Sequence, residues 1–88
     1  MEIIYLRQAL KDVNKIKNSK LKLKLAEVVA DLKKSENLSE INNVKSMSGY
    51  SDAYRIRIGD YRLGIFYSDE TITIARFLKR EDIYKLFP

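Results

Sequence analysis

From Ala53 onward the apolar residues recur with a period of two, which places Tyr54, Ile56 and Ile58 on one face of an extended segment and Arg55 and Arg57 on the other. Gly59-Asp60 separates this segment from Tyr61–Tyr67, and a two-residue link that opens on glycine is the signature of a type II′ hairpin. Ser68-Asp69-Glu70 makes a second tight turn, after which the β-branched run Thr71-Ile72-Thr73-Ile74-Ala75 supplies a third strand. An antiparallel meander is therefore the frame around which the rest of the chain has to be placed.

The first half carries the other period. Met1–Leu6 is apolar and β-capable, but Leu6, Leu10, Val13 and Ile16 fall at helical spacing, so a short strand gives way to a helix. Asn18-Ser19 interrupts that pattern. Ser19 is placed to cap a second helix whose Leu21, Leu25, Val28, Val29 and Leu32 make one stripe, and the two helices are expected to form a hairpin. Ser35–Glu40 is rich in turn formers, and Ile41–Ser51 has no clean period and reads as loop. Near the end, Glu81-Asp82 suits the first turn of a terminal helix from which Ile83 and Phe87 can pack back at i, i+4. The expectation is an α+β fold in a single domain over residues 1–88. It consists of a small twisted antiparallel sheet of three to four strands, packed against an N-terminal helical hairpin, with a short C-terminal helix.

Composition narrows what such a fold can do. A chain of 88 residues buries only ~60–65% of its unfolded surface. With no cysteine and no histidine it has no disulfide framework, no Cys-His zinc site and no Ser-His-Asp or Cys-His nucleophile pair. Gly49 and Gly64 have no phosphate-loop spacing and the carboxylates are scattered, so neither a nucleotide cofactor nor a metal is indicated. The apolar runs are far shorter than the ~20 residues of a membrane helix, and the N-terminus lacks the parts of a secretory signal. A cytoplasmic location without membrane contact is expected. Seventeen Lys plus Arg against twelve Asp plus Glu give a net charge of +5, which points to a polyanionic partner.

The cations form two groups. Lys11, Lys15, Lys17, Lys20, Lys22 and Lys24 are opposed only by Asp12. Lys20, Lys22 and Lys24 lie near the positive end of the second helix, where a bound anion would relieve a local penalty; the alternative is a solvated face. Leu23 lies opposite the apolar stripe and reads as a scattered surface leucine. In the second half, strand geometry sets Arg55 and Arg57 on one face and the tight turn brings Arg62 within reach of them. Guanidinium forks match phosphate oxygens, so a phosphodiester is the natural occupant unless each arginine pairs with Asp52, Asp60, Asp69 or Glu70. Arg76 shares strand parity with Ile72 and Ile74, and the alternative for it is partial burial against a carboxylate. Tyr84 could stack on a base or anchor the terminal helix, and Tyr50, Tyr54, Tyr61 and Tyr67 read as core or edge aromatics.

The run Gly49-Tyr50 and Tyr54-Arg55-Ile56-Arg57-Ile58-Gly59-Asp60-Tyr61-Arg62, followed by a strand and by Lys79-Arg80-Glu81-Asp82-Ile83-Tyr84, resembles the RelE/ParE superfamily of toxins from bacterial and archaeal toxin-antitoxin pairs. The resemblance spans nearly the whole chain, and the tail is closer to RelE-like than to ParE-like members. It implies a ribosome-dependent endoribonuclease that cuts messenger RNA in the A site, held inactive by a cognate antitoxin. ParE-like members instead poison DNA gyrase, and a decayed toxin kept as a binding module is a third reading. On the RelE-like reading, Arg55 and Arg57 stand around the 2′-hydroxyl and backbone of the cut nucleotide, Arg62 on the scissile phosphate, Arg80 on charge at the phosphate or leaving group, and Tyr84 on the substrate base. Lys79 stands where relatives often carry histidine, and Arg76, Lys15, Lys20, Lys22 and Lys24 join it as candidate contacts to RNA or ribosome. The implied chemistry is metal-free attack of the 2′-hydroxyl on its neighbouring phosphate, leaving a 2′,3′-cyclic phosphate and a 5′-hydroxyl. A guanidinium of pKa above ~12 does not readily accept that proton, which leaves Lys79 and Glu81 as candidate bases.

Overall fold

The computed structural model describes all 88 residues. In chain order they form β1 (Glu2–Tyr5), α1 (Arg7–Asn14), α2 (Ser19–Lys34), a 3-10 turn (Leu38–Glu40), β2 (Val44–Ser46), β3 (Ala53–Ile58), β4 (Tyr61–Ser68), β5 (Thr71–Lys79) and α3 (Arg80–Leu86). The strands make one five-stranded sheet in the order β1-β5-β4-β3-β2. The meander β3-β4-β5 is antiparallel and closes at Gly59-Asp60, where Gly59 has φ +59 and only the first loop residue is left-handed, the φ pattern of a II′ turn.

The sheet departs from the expected three to four antiparallel strands in two ways. β1 pairs in parallel with β5, Ile3 opposite Ile72 and Tyr5 opposite Ile74, so the sheet is mixed. Parallel partners need a long crossover, and here everything from α1 to β4 lies between them in the chain. β2 pairs with β3 inside the stretch that reads as loop. Three residues are too few to show a period, and Val44-Lys45-Ser46 becomes a strand only because the free edge of β3 accepts it.

The expected helical hairpin is also absent. α1 packs against β5, and α2 packs against β1 and β3, so each helix uses the sheet rather than its neighbour as cover. The reason lies in the face offered by the strands. Ile56, Ile58, Leu63, Ile65, Ile72, Ile74 and Phe77 make a broad apolar surface that takes Ala9 and Ile16 around α1 together with Leu25, Val29 and Leu32 of α2. Each large side chain fully buried there contributes ~1.5–3 kcal/mol. The cap of α2 is Asn18, not Ser19: its Oδ1 accepts from the amides of Lys20 at 3.0 Å and Leu21 at 3.1 Å.

The opposite face of the sheet is only partly covered. α3 turns back across it, and Ile83 and Phe87 bury against Met47, Ala53 and Ala75. Gly64 is required for this approach, because a Cβ there would stand 2.8 Å from the Phe87 ring. No helix is long and apolar enough to cross a membrane.

Candidate functional site

What α3 leaves uncovered is a basic groove. Strand alternation puts Arg55 and Arg57 on the α3 side of β3, and the register sets Lys45 of β2 opposite Arg55 and Arg62 of β4 opposite Arg57. Like charges directly opposite each other weaken a sheet, yet two such pairs stand side by side here. Together with Asn43 and Tyr84 of α3, these four cations line a groove of about 280 Å³.

The three arginines are held by neutral acceptors. Arg55 Nη1 donates to the Ser46 carbonyl at 2.9 Å and to Met47 Sδ at 3.7 Å, and its guanidinium lies 5.1 Å from the centroid of the Tyr84 ring. Arg57 Nη2 donates to Asn43 Oδ1 at 3.2 Å, while the Arg57 amide donates to the Asn43 carbonyl at 3.1 Å. Arg62 Nη1 donates to the carbonyls of Gly59 and Tyr61, each at 3.0 Å. None of the three pairs with Asp52, Asp60, Asp69 or Glu70, since Asp12–Arg76 is the only ion pair in the protein. Their positive charge is therefore uncompensated within the chain, while dipoles hold the forks in place. This arrangement favours a multivalent oxyanion with several acceptor oxygens.

The remaining sequence-derived candidates lie elsewhere. Arg76 takes the second of its two possible roles: Nε donates to Asp12 Oδ2 at 2.8 Å and Nη2 to Oδ1 at 3.2 Å, with the Phe77 amide on Oδ2 at 3.0 Å. The bulge that skips Ala75 between the Gly64–Arg76 and Ile65–Ile74 pairs shifts Arg76 out of simple alternation. Lys79 and Arg80 are exposed where β5 becomes α3 and do not line the groove. The Arg80 amide donates to the Asp60 carbonyl at 2.9 Å, which ties the start of α3 to the turn whose Gly59 carbonyl accepts from Arg62. Glu81 is exposed and is likewise absent from the lining. Lys15, Lys20, Lys22 and Lys24 are exposed around α1 and α2, over the other face of the sheet.

Two groove residues escape sequence reasoning. Asn43 and Lys45 belong to the stretch without a period, and only the pairing of β2 with β3 brings them to Arg57 and Arg55. The available signal was Asn43 itself, which stands at φ +65, a backbone region that asparagine enters more readily than most residues.

The chain is similar to known proteins over nearly its whole length. The profile of the family described as "ParE toxin of type II toxin-antitoxin system, parDE" matches residues 3–84. Toxin RelE3 of Methanocaldococcus jannaschii is 29% identical over 89 residues, covering all of both chains. Among solved structures, the RelB-RelE antitoxin-toxin complex from Methanococcus jannaschii superposes with a TM-score of 0.81 at 28% identity, over 97% of this chain and 99% of that one. The RelE-RelB complex from Pyrococcus horikoshii shares the fold, with a TM-score of 0.71 at 23% identity over 90% and 93% of the two chains.

Proposed function

The chain belongs to the RelE/ParE family of toxins of type II toxin-antitoxin systems, on its RelE-like side, and on that premise we propose that it is a ribosome-dependent endoribonuclease that cuts messenger RNA in the A site. The observation that carries the reading is the groove of three guanidiniums and one ammonium with no carboxylate to neutralise them. Arg57 and Arg62, opposite each other across two strands, bracket the scissile phosphate and meet the charge that grows on it as the 2′-hydroxyl attacks. Arg55 and Tyr84 form a stacked wall that orients the nucleotide. A guanidinium does not give up its proton, so among the groove-lining groups only Lys45, as the neutral amine, or Tyr84, as the phenolate, can take the 2′-hydroxyl proton, and the step is assigned to this pair ahead of Lys79 or Glu81. The ribosome supplies the alignment of the messenger, which accounts for a site this open. A cognate antitoxin is the regulating partner, as in the toxin-antitoxin complexes of the solved relatives, and it acts by masking the groove.

The test is purified protein added to ribosomes programmed with a defined messenger, with primer extension to map new 5′ ends. Cuts confined to the A-site codon, reduced ~10²–10³-fold in Arg62→Ala and absent from ribosome-free RNA, are expected. An intact messenger at stoichiometric protein overturns the nuclease reading and leaves a toxin that acts by contact, as a gyrase poison does.

A further inference from the structure

On the far side of the Arg55–Tyr84 stack the same face of the sheet carries a second recess, with a volume of about 380 Å³. Arg55 and Tyr84 line both spaces, so recess and groove adjoin at this shared wall. Tyr50, Ser48 and Lys85 also line the recess. Tyr50 and Tyr84 are 53% and 58% exposed, and neither ring packs against another aromatic ring. A single exposed tyrosine needs no explanation, but two of them border one recess beside a cationic groove.

Tyr50 is also held in place. Its amide donates to the Met47 carbonyl at 3.2 Å, closing a turn in which Gly49 has φ +84, the left-handed position that a type II turn gives to glycine. Met47 anchors that turn, being buried in the small core under α3 with its amide on the Ala53 carbonyl at 2.8 Å. The Tyr50 ring is therefore presented by a turn that is fixed at its base.

We propose that this recess is a nucleobase subsite. When a phosphate occupies the arginine groove, the base of an adjoining nucleotide enters beside Tyr50 and Tyr84, with the Ser48 hydroxyl and the Lys85 ammonium available to its polar edge. The proposal rests on the nuclease reading and adds to it a base-binding residue, Tyr50, outside the groove.

Binding of a short single-stranded RNA with 2′-O-methyl sugars, which cannot be cut, tests the subsite directly by fluorescence anisotropy. Tyr50→Ala is expected to weaken binding about tenfold or more, the scale of one base–aromatic stack, whereas Tyr50→Phe keeps wild-type affinity because the ring face does the binding. An RNA with one abasic position should lose a similar factor against the wild type and nothing further against Tyr50→Ala. Unchanged thermal unfolding of Tyr50→Ala excludes a folding defect. Wild-type affinity in Tyr50→Ala, with binding abolished in Arg62→Ala, overturns the subsite alone. Failure of the wild type to bind this RNA overturns the subsite, and failure to cut programmed messenger overturns both readings.

Discussion

Asp12 accepts hydrogen bonds from Arg76, from the Phe77 amide and from Gln8 while only 4% exposed, so one carboxylate ties α1 to β5. Burial pushes its carboxyl up, but the Arg76 hydrogen bond, the Phe77 amide, the Gln8 amide and the Arg76 charge together outweigh burial and hold it below its ordinary value. The unfolded chain then binds the proton more readily than the folded one. The stabilisation is complete above the unfolded value near ~3.9 and is lost as pH falls through the lower folded one. Urea midpoints of the wild type should therefore drop in this acid range, and Asp12→Asn should lose that part of the pH dependence. Asp12→Ala, which strands Arg76 and an amide, should cost ~3–5 kcal/mol in the same measurement. At the groove the logic is reversed: Arg55, Arg57 and Arg62 have no such partner, and the sheet tolerates their repulsion.

Among the elements, α3 depends on a glycine in another strand. Gly64 lets the Phe87 ring lie against β4, and Gly64→Ala should push that ring away at a cost of ~1–3 kcal/mol, with faster amide exchange along α3. In a Phe87→Ala background the same substitution should cost little, so a double-mutant cycle by denaturant unfolding isolates the packing of ring on glycine. The β4–β5 turn offers the opposite case. Asp69 and Glu70 both stand at positive φ, 49 and 61, which is the I′ geometry that asparagine and glycine adopt most easily. Replacing the pair by Asn-Gly should stabilise the protein by about 1 kcal/mol in thermal unfolding. The register from Ser68–Thr71 onward already specifies this turn, so the arginine face should not move.

For the whole molecule, the net charge of +5 is divided between the two faces of one sheet. The groove lies on the α3 side and the lysines of α2 on the other, so on the nuclease reading proposed above the first meets the phosphate and the second attracts the polyanion at long range. Changing Lys20, Lys22 and Lys24 to glutamate should lower ribosome affinity and flatten its salt dependence, by ~0.7 in log-log slope for every phosphate that is no longer neutralised, while the cut stays at the same codon. An unchanged slope would mean that these lysines only keep α2 in water. The strands β3 to β5, their two turns and the common face of Arg55 and Arg57 were legible in the sequence, because alternation and turn chemistry act between residues close along the chain. So was the terminal helix with Ile83 and Phe87 turned inward. The mixed sheet was not: β1 and β2 are short, and their places follow from which edges of the meander remained open. The same holds for the helices, which lie on the sheet because its apolar face is wider than either could offer the other. Arg76 found its carboxylate 64 residues away, and Lys45 and Asn43 reached the groove only through β2. Local pattern determined which residues could face a phosphate, and long-range pairing decided which of them stand together, since that depends on the edges and faces left free once the core has closed.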